Sequence, residues 1–148
     1  MKILVVGGAG YIGSHMIKRF QNTDHQIEVL DNLSTGFKEN SQNYKFHMCD
    51  LSNKEQVHKI LKENKYEMVM HFASSINVGE SYDHPMKYYE NNVTNTLNLL
   101  ECMIDLKILN FIFSSTAAVY GEPESIPIKE EQKLSPINPY GKTKSVVE

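Results

Sequence analysis

The sequence predicts an α/β fold in which a parallel sheet is covered by helices on both faces. Short apolar runs alternate with segments whose apolar residues recur at helical spacing, and this alternation continues along the chain. Strands that alternate with helices imply parallel pairing, because each helix carries the chain back to the start of the next strand. The chain has 148 residues, of which 41% are hydrophobic, and this is enough for one globular domain with a single core.

Five short apolar runs predict the strands of the sheet, at residues 2–6, 26–31, 44–50, 66–73 and 110–115. The first run, KILVV, is apolar after its first residue and is closed by glycines. Such a run is typical of a strand that is buried on both faces, as the strands of parallel sheets are.

Apolar residues three or four positions apart predict helices at residues 11–22, 53–64 and 85–106. The longest helix places six apolar side chains on one face: Met86, Tyr89, Val93, Leu97, Leu100 and Ile104. Residues 120–138 contain three prolines and predict a loop. A last helix is expected after it, because Asn138 can cap a helix and Pro139 loses nothing at the first helical position.

The composition excludes several classes of protein. The net charge is −3 and no basic run is present, so the sequence does not predict a nucleic-acid partner. No apolar stretch is long enough to cross a bilayer and no secretory leader opens the chain, so we expect a cytoplasmic protein without a membrane partner. Cys49 and Cys102 are expected to be buried thiols rather than a disulfide or metal pair. The six histidines lack paired-ligand spacing, so no metal site is expected.

Three glycines follow the first predicted strand at regular spacing: Gly7, Gly10 and Gly13 in GGAGYIGS. By themselves they are consistent with an ordinary tight turn between strand and helix. A dinucleotide needs such a turn without side chains, so that its pyrophosphate can approach the backbone and the N–H groups that begin the helix. This position favours a dinucleotide-binding loop in a Rossmann-type doubly wound sheet. The GxxGxxG spacing is typical of the short-chain dehydrogenase/reductase superfamily, particularly of its extended members.

Acidic residues end the second and third predicted strands, at the sheet edge where ligands bind in such folds. Asp31 can accept hydrogen bonds from both ribose hydroxyls of NAD and would repel the additional phosphate of NADP, so NAD is the favoured cofactor. Asp50 can accept from the adenine amino group. For both residues the alternative is an acidic side chain that only closes a turn.

Tyr140 and Lys144 lie one turn apart on the last predicted helix, and Thr116 follows the fifth strand. In isolation such a tyrosine and lysine are more often a packed ring and a lysine that reaches solvent. The functional alternative has a physical basis, because a nearby ammonium stabilises a phenolate and makes Tyr140 a usable base. Thr116 would then hydrogen-bond the reacting oxygen, although hydroxyls at strand ends often only satisfy the local backbone.

In this order and spacing, the features resemble the N-terminal part of the UDP-glucose 4-epimerases (UDP-galactose 4-epimerases), which are extended short-chain dehydrogenases/reductases. The stretches GGAGYIGS, DNLSTG, HFASSINVGES, YYENNV, FSSTAAVYGE and PYGKTKSVVE carry the resemblance from Met1 to Glu148. The resemblance implies catalytic roles for Thr116, Tyr140 and Lys144. It also implies NAD contacts at Gly7, Gly10, Tyr11, Ile12, Gly13, Asp31, Asn32, Leu33, Ser34, Thr35, Gly36, Asp50, Leu51, Phe72, Ala73, Ser74, Ser75, Ile76, Asn91, Tyr140 and Lys144.

The family oxidises C4 of a UDP-sugar with tightly held NAD, and the 4-keto ring then takes the hydride back on its other face. The resemblance therefore implies an isomerase with a UDP-sugar substrate and a homodimer built on the long helix and the Tyr140 helix. Nucleotide-sugar 4,6-dehydratases are similar but follow the strand-five threonine with Asp-Glu, whereas this chain has Ala117 and Ala118. An epimerase is therefore preferred, and epimerases for uronic or N-acetylated sugars remain alternatives.

Members of that family are much longer, and their C-terminal portion supplies most of the UDP-sugar pocket. We therefore expect residues 1–148 to form an incomplete NAD-binding Rossmann domain, truncated before the substrate domain. Two functional hypotheses follow from this expectation. The residues belong to a working NAD-dependent epimerase, or they form a nucleotide-binding module that holds NAD without turnover.

Overall fold

The computed structural model describes all residues from Met1 to Glu148. The chain forms two compact units. Met1–Ser74 and Leu97–Ser114 make up the first unit, and Ser75–Thr96 and Ser115–Glu148 make up the second.

The first unit is built on a five-stranded sheet in which every pair of neighbours is parallel. Its strands are β1 (Lys2–Val6), β2 (Gln26–Asp31), β3 (Lys45–Met48), β4 (Met68–His71) and β5 (Asn110–Phe113). Their order in the sheet is β3-β2-β1-β4-β5. The chain moves outward from β1 on one side and then returns to the other side of β1 through β4. Sheets of this topology bind ligands at the carboxyl ends of the strands where the order reverses, which here is between β1 and β4.

Six α-helices accompany the strands: α1 (Tyr11–Arg19), α2 (Lys54–Asn64), α3 (Val78–Asp83), α4 (Pro85–Tyr88), α5 (Asn95–Asp105) and α6 (Pro139–Val147). A π-helical segment (Tyr89–Thr94) joins α4 to α5. Two 3₁₀ turns lie at Lys38–Ser41 and Ala117–Tyr120. No helix is both long and apolar enough to cross a membrane.

Helices cover both faces of the sheet in the first unit. On one face Val5 and Val29 pack in a core cluster with Ile17 of α1. On the other face the strands pack against α2 and α5 in a larger cluster. Burial on both faces explains why the central strands are apolar at nearly every position. The predicted α/β fold, a Rossmann-type sheet with helices on both faces, is confirmed.

The element ends differ from the predictions by a few residues. Helix α1 ends at Arg19 rather than at residue 22, because the backbone N–H of Phe20 donates to Ile17 O at 3.1 Å and that of Gln21 donates to Lys18 O at 3.2 Å, which tightens the last turn. Helix α3 was missed, since its six residues are too few to show a periodic pattern. It begins where Asn77 Oδ1 accepts a hydrogen bond from Glu80 N at 3.0 Å. The final helix begins at Pro139 with Asn138 as its cap, as predicted.

The long helix predicted for residues 85–106 is helical to Asp105, but its buried face is not the predicted apolar one. Met86, Leu97 and Ile104 are 66%, 52% and 71% exposed. The buried side chains form a neighbouring stripe: Tyr88, Asn92, Thr96, Leu99, Cys102 and Met103. The prediction followed hydrophobicity alone, whereas this stripe contains two polar side chains whose hydrogen bonds are made internally.

Both cysteines are free and buried in the larger core cluster, as predicted. Burial, with a smaller contribution from the neighbouring Asp50, raises the pKa of the Cys49 thiol to about 11. The thiol therefore stays protonated and behaves as a small apolar side chain.

Candidate functional site

The predicted cofactor-binding residues of the first unit lie on the glycine loop and on the segments that leave β2, β3 and β4. Gly7 has φ +79°, and a Cβ there would lie 2.5 Å from the backbone nitrogen of Ala73, just after β4. A Cβ on Gly13 would lie 2.1 Å from the carbonyl oxygen of Gly7. Close backbone packing therefore requires these two glycines. Gly10 differs, because the nearest atom to its Cβ would be 3.4 Å away, so packing alone does not require a glycine there.

Helix α1 begins at this loop with its first turn uncapped. Gly10 is the N-cap residue and offers no side-chain hydrogen bond, and no acidic residue lies in the first turn. The first N–H groups of a helix have no partner within the helix, so this end carries a partial positive charge. The side chains of Tyr11 and Ile12 are 81% and 54% exposed. The geometry suits an anionic group such as a pyrophosphate.

Asp31 is buried beside the glycine loop and accepts one backbone hydrogen bond at each carboxylate oxygen. Ala9 N–H donates to Oδ2 at 3.0 Å, and Leu33 N–H donates to Oδ1 at 2.8 Å. A carboxylate offers about four lone-pair positions, so each oxygen keeps one for another donor. Two hydroxyl donors, such as those of a ribose, match this remaining capacity.

The loop from Asn32 to Gly36 packs onto the glycine loop. A Cβ on Gly36 would lie 2.8 Å from the carbonyl carbon of Ala9, and Phe37 N–H donates to Ala9 O at 3.1 Å. Leu33 has a positive φ of 57°, and Ser34 N–H donates to Asn32 Oδ1 at 3.0 Å. The exposed side chains of Ser34 and Thr35 keep their hydroxyls accessible.

Asp50 lies just after β3 and is joined to Asn32, whose Nδ2 donates to its Oδ2 at 2.5 Å. Hydrogen bonds from Ser52 and then from Asn32 lower the pKa of Asp50, so its carboxylate stays charged and available as an acceptor. The side chain of Leu51 is 6% exposed and belongs to the core, which leaves only its backbone for a ligand. Phe72, Ala73 and Ser74 follow β4 and are half-buried.

The predicted catalytic residues lie in the second unit, on α6 and on the 3₁₀ turn after Thr116. Thr116 Oγ1 accepts a hydrogen bond from Ala118 N–H at 3.2 Å and caps the turn. A Cβ on Gly141 would lie 2.7 Å from Ala118 O, so α6 approaches this turn closely. The tight packing at Gly141 brings the segment of Thr116 and the helix of Tyr140 together, and sequence analysis did not identify this glycine.

Tyr140 and Lys144 are both buried on α6, with exposed fractions of 9% and 2%. Burial lowers the pKa of Lys144 to about 8, and Glu148 opposes this shift only partly. The Tyr140 ring meets the ring of Tyr88 edge to face, with centroids 6.5 Å apart. Tyr140 N–H donates to Ser81 Oγ at 3.2 Å, which fixes the start of α6 on α3.

Tyr88 is a second phenol beside Tyr140, but its environment keeps it neutral. Its hydroxyl donates to Glu80 Oε2 at 2.7 Å. Burial and this carboxylate together raise the pKa of Tyr88 to about 12. Hydrogen bonds from Lys87 and Tyr88 lower the pKa of Glu80, so the carboxylate stays charged. Tyr88 is therefore held as a proton donor to Glu80, and of the two phenols Tyr140 is the better candidate for a base.

Two predicted cofactor contacts in the second unit, Ser75 and Asn91, are joined through a residue that the sequence analysis missed. Asn92 is 1% exposed and hydrogen-bonds to the Ser75 backbone, the Asn91 side chain and Thr143. Ile76 is 68% exposed and makes no comparable contact. The sequence did contain a signal, because Asn92 has the same helical spacing as the buried residues of the long helix. A prediction of buried positions from apolar residues alone does not find an asparagine.

Comparison with known proteins shows which family the chain resembles. The family model described as GDP-mannose 4,6 dehydratase matches residues 4–148. UDP-glucose 4-epimerase of Lactobacillus helveticus is 46% identical over 149 residues, which cover all of this chain and 45% of that protein. The chain thus spans about half the length of such curated relatives.

Solved structures show the same likeness. The UDP-Glc/GlcNAc 4-epimerase of Campylobacter jejuni superposes with a TM-score of 0.94 at 48% identity, over 97% of this chain and 46% of that one. UDP-glucose 4-epimerase of Brucella ovis in complex with NAD gives 0.95 at 41% identity, over 98% and 45%. The chain therefore belongs to the GDP-mannose 4,6 dehydratase family of extended short-chain dehydrogenases/reductases, and within it resembles the NAD-binding part of UDP-glucose 4-epimerases.

Proposed function

We propose that this chain is the cofactor-binding and catalytic part of an NAD-dependent epimerase that inverts C4 of a UDP-hexose, with UDP-glucose and UDP-galactose as its substrates. The observation that carries the proposal is the burial of Lys144 one helical turn after Tyr140. A buried ammonium whose pKa is pushed down costs stability, and such groups cluster at functional sites. A buried cation beside a phenol is the arrangement that phenolate chemistry needs.

NAD fits the residues of the first unit. The uncapped start of α1 offers N–H groups to a pyrophosphate, and Asp31 keeps two lone pairs for ribose hydroxyls. A carboxylate at this position repels the additional phosphate of NADP, which favours NAD. The NAD-bound Brucella ovis relative supports the same cofactor. We therefore assign to NAD the full set of contacts that the sequence predicts.

Each catalytic residue has one defined task. NAD, when bound, supplies the hydride acceptor and donor for C4 of the sugar. Tyr140 takes the proton of the C4 hydroxyl and returns it after the ring has turned, so the same phenol is base and acid. The Lys144 ammonium stabilises the phenolate. Thr116 Oγ1 accepts from Ala118 N–H and keeps its own O–H proton to donate to the sugar oxygen.

Dehydration is the second candidate reaction, because the matching family model is named for a dehydratase. Elimination of water needs an acid and a base beside the sugar. The two residues that follow Thr116 in the 3₁₀ turn are Ala117 and Ala118, which cannot transfer protons. Epimerisation needs only one proton-transfer group, which Tyr140 supplies, so we favour it. The Campylobacter jejuni relative, named for both UDP-Glc and UDP-GlcNAc, keeps N-acetylated sugars among the substrates to test.

Residues 1–148 then form the incomplete Rossmann domain of a longer enzyme, whose remaining half would complete the sugar pocket. We also propose a homodimer. Helix α5 exposes Leu97 and Ile104, two apolar side chains that a second copy would cover. Sedimentation of the full-length protein as a monomer at micromolar concentration would contradict the dimer.

The test of the proposed function is an assay of UDP-galactose conversion by the full-length protein that contains this chain. We expect UDP-glucose as product without net consumption of NAD. The assay should include UDP-N-acetylglucosamine and a UDP-uronic acid as alternative substrates. Failure to convert any of them would contradict the epimerase, and release of NAD on denaturation would then support a non-catalytic NAD-binding module. Release of a 4-keto-6-deoxy sugar would instead support the dehydratase.

A further inference from the structure

The side-chain amide of Asn92 uses all of its hydrogen-bonding positions inside the second unit. Its Oδ1 accepts from Ser75 N–H at 2.8 Å and from Asn91 Nδ2 at 2.9 Å. Its Nδ2 donates to Ser75 O at 3.0 Å and to Thr143 Oγ1 at 3.0 Å. An amide offers two acceptor and two donor positions, so no capacity is left for another partner. Asn92 therefore fixes three separate segments through one side chain.

On α6, Thr143 determines which atom donates and which accepts in its hydrogen bond with Asn92. Its hydroxyl donates to Tyr140 O at 2.7 Å, so its oxygen is left to accept from Asn92. Thr143 is fully buried and lies between Tyr140 and Lys144 in the sequence of α6. A shift of its contact with Asn92 would rotate or translate the turn of helix that bears both residues.

The backbone of Asn92 is also hydrogen-bonded, in addition to its side chain. Asn91 and Asn92 lie in the π-helical segment, and Thr96 Oγ1 donates to Asn92 O at 2.7 Å. Segments of π-helix are rare and occur frequently at functional sites. The irregular turn places two consecutive asparagines so that one side chain accepts from the other.

We propose that Asn92 and Thr143 are positioning residues, which hold Ser75, Asn91 and the helix of Tyr140 and Lys144 in one fixed arrangement. The inference rests on the proposed function, since Ser75 and Asn91 are assigned there to the cofactor and the α6 pair to the chemistry. Neither Asn92 nor Thr143 is assigned a contact with a reacting atom. A buried polar network that is fully satisfied specifies one geometry more sharply than apolar packing does, and active-site groups tolerate little displacement.

The experiment uses the full-length protein and compares Thr143→Val with Thr143→Ser. Valine keeps the shape but removes the hydroxyl, whereas serine keeps the hydroxyl. We expect Thr143→Val to lower kcat about 10-fold with KM changed less than about 2-fold, as for other supporting residues of a site. The acid limb of the kcat–pH profile should move to higher pH, because a displaced ammonium stabilises the Tyr140 phenolate less. Thr143→Ser should restore both quantities to near the wild-type values.

A second pair of variants tests the cofactor side of the network. Asn92→Leu should weaken NAD binding about 10-fold, measured by fluorescence titration of apoprotein, because Ser75 and Asn91 lose their common partner. Asn110→Leu is the control, since the Asn110 side chain donates to Glu67 O at 2.9 Å in the first unit and Glu67 is not assigned to the cofactor. The control should lower the unfolding temperature without changing NAD affinity. If Asn92→Leu does not fold, the Thr143 pair decides the proposal.

Three results would overturn the proposal. The first is a Thr143→Val enzyme with lowered thermal stability but wild-type kcat and pH profile, which would show a merely structural role. The second is a Thr143→Ser enzyme as impaired as Thr143→Val. If the wild-type protein epimerises nothing, the proposed function fails, and the NAD titrations still decide the proposal. Equal NAD affinity of Asn92→Leu and Asn110→Leu would then be the third contradicting result.

Discussion

Two buried ionisable residues in this protein, one in each unit, differ in whether folding favours their charged form. In the first unit, the carboxylate of Glu28 on β2 is 3% exposed and is surrounded by four partners, which we call the Glu28 cluster: Lys2, Lys45, His47 and Tyr66. In the second unit, Lys144 is 2% exposed and lies one helical turn after Tyr140 on α6. Both charges are buried and both pKa values are lowered, which favours the charged form of Glu28 and disfavours the charged form of Lys144.

Burial by itself would raise the pKa of Glu28. Hydrogen bonds from Lys2, Tyr66 and His47 outweigh it and lower the pKa to about 2, so the charged form is stabilised by folding. Burial lowers the pKa of Lys144 to about 8, so folding disfavours its charged form. The charge of Glu28 therefore stabilises the fold, whereas the charge of Lys144 is destabilised by its burial in the fold. A charge destabilised in this way is expected where it has a chemical task.

The largest expected effect comes from removing one phenol oxygen in each unit. Tyr140→Phe in the full-length enzyme should lower turnover at least about 10²-fold, because the general base is lost. Tyr66→Phe removes the same atom from the Glu28 cluster and should leave turnover per folded molecule unchanged. It should instead lower the free energy of unfolding by about 2 kcal/mol, since a hydrogen bond to a charged group is lost. Steady-state kinetics and urea unfolding of both variants measure the contrast, and near-normal turnover of Tyr140→Phe would refute the role of Tyr140.

Acid should destabilise the protein through Glu28. The folded pKa is near 2 and the ordinary value is 4.5, so folding favours the carboxylate. The contribution of Glu28 is complete above the ordinary pKa and is lost as the pH falls from about 5 toward 2, for a total of about 3 kcal/mol. Urea unfolding at several pH values measures this slope. Glu28→Gln should be less stable at pH 7 and show a shallower acid slope, and identical slopes would contradict the assignment.

Replacement of Lys144 should lower turnover with little loss of stability, the reverse of the effect expected for Tyr66→Phe. Lys144→Met should lower turnover about 30-fold, because the phenolate of Tyr140 loses its stabilising charge. The free energy of unfolding should fall by less than about 1 kcal/mol, since a buried charge is exchanged for an apolar side chain of similar size. The exposed Lys142 of the same helix offers the control Lys142→Met, which should change neither quantity. A large loss of stability in Lys144→Met with full turnover would reverse the interpretation of Lys144.

The smallest effect is expected at the cofactor-binding edge. Asp31→Ala should weaken NAD binding about 10-fold and NADP binding much less, because the carboxylate attracts ribose hydroxyls and repels a phosphate. The ratio of the two affinities separates this effect from local distortion, since Ala9 N–H and Leu33 N–H also lose their acceptor. Titration with both dinucleotides measures the ratio. Equal losses would argue against a ribose contact at Asp31.

The two units also differ in how much of them the sequence predicts. The sheet, α1 and the loop at Gly7 to Gly13 depend on short-range patterns, and their fold was predicted in the right order. Gly7 and Gly13 are needed because backbone atoms lie within 3 Å of where a Cβ would be, which makes their spacing a reliable signal. Strand ends were predicted less well, since apolar residues such as Phe72 and Ala73 continue beyond His71, where β4 ends.

The second unit depends on long-range polar contacts that no local pattern reports. Asn92 meets Thr143, which is 51 residues away, and Tyr140 N–H meets Ser81 Oγ, which is 59 residues away. The prediction for the long helix chose the most apolar stripe, whereas the buried stripe contains Asn92 and Thr96. Motifs identified Tyr140 and Lys144, but only the folded structure shows that Gly141 lets their helix approach the turn after Thr116.

The most direct test of the central claim follows the hydrogen on C4 of the sugar. UDP-galactose labelled with deuterium at C4 should be converted by the full-length enzyme to UDP-glucose that retains deuterium at C4, even after many turnovers in ordinary water. Retention is expected because the hydride leaves C4 and returns to it without exchange, while Tyr140 moves only the hydroxyl proton. Loss of the C4 deuterium to solvent, or label found only at another carbon, would contradict the mechanism proposed for Tyr140 and Lys144.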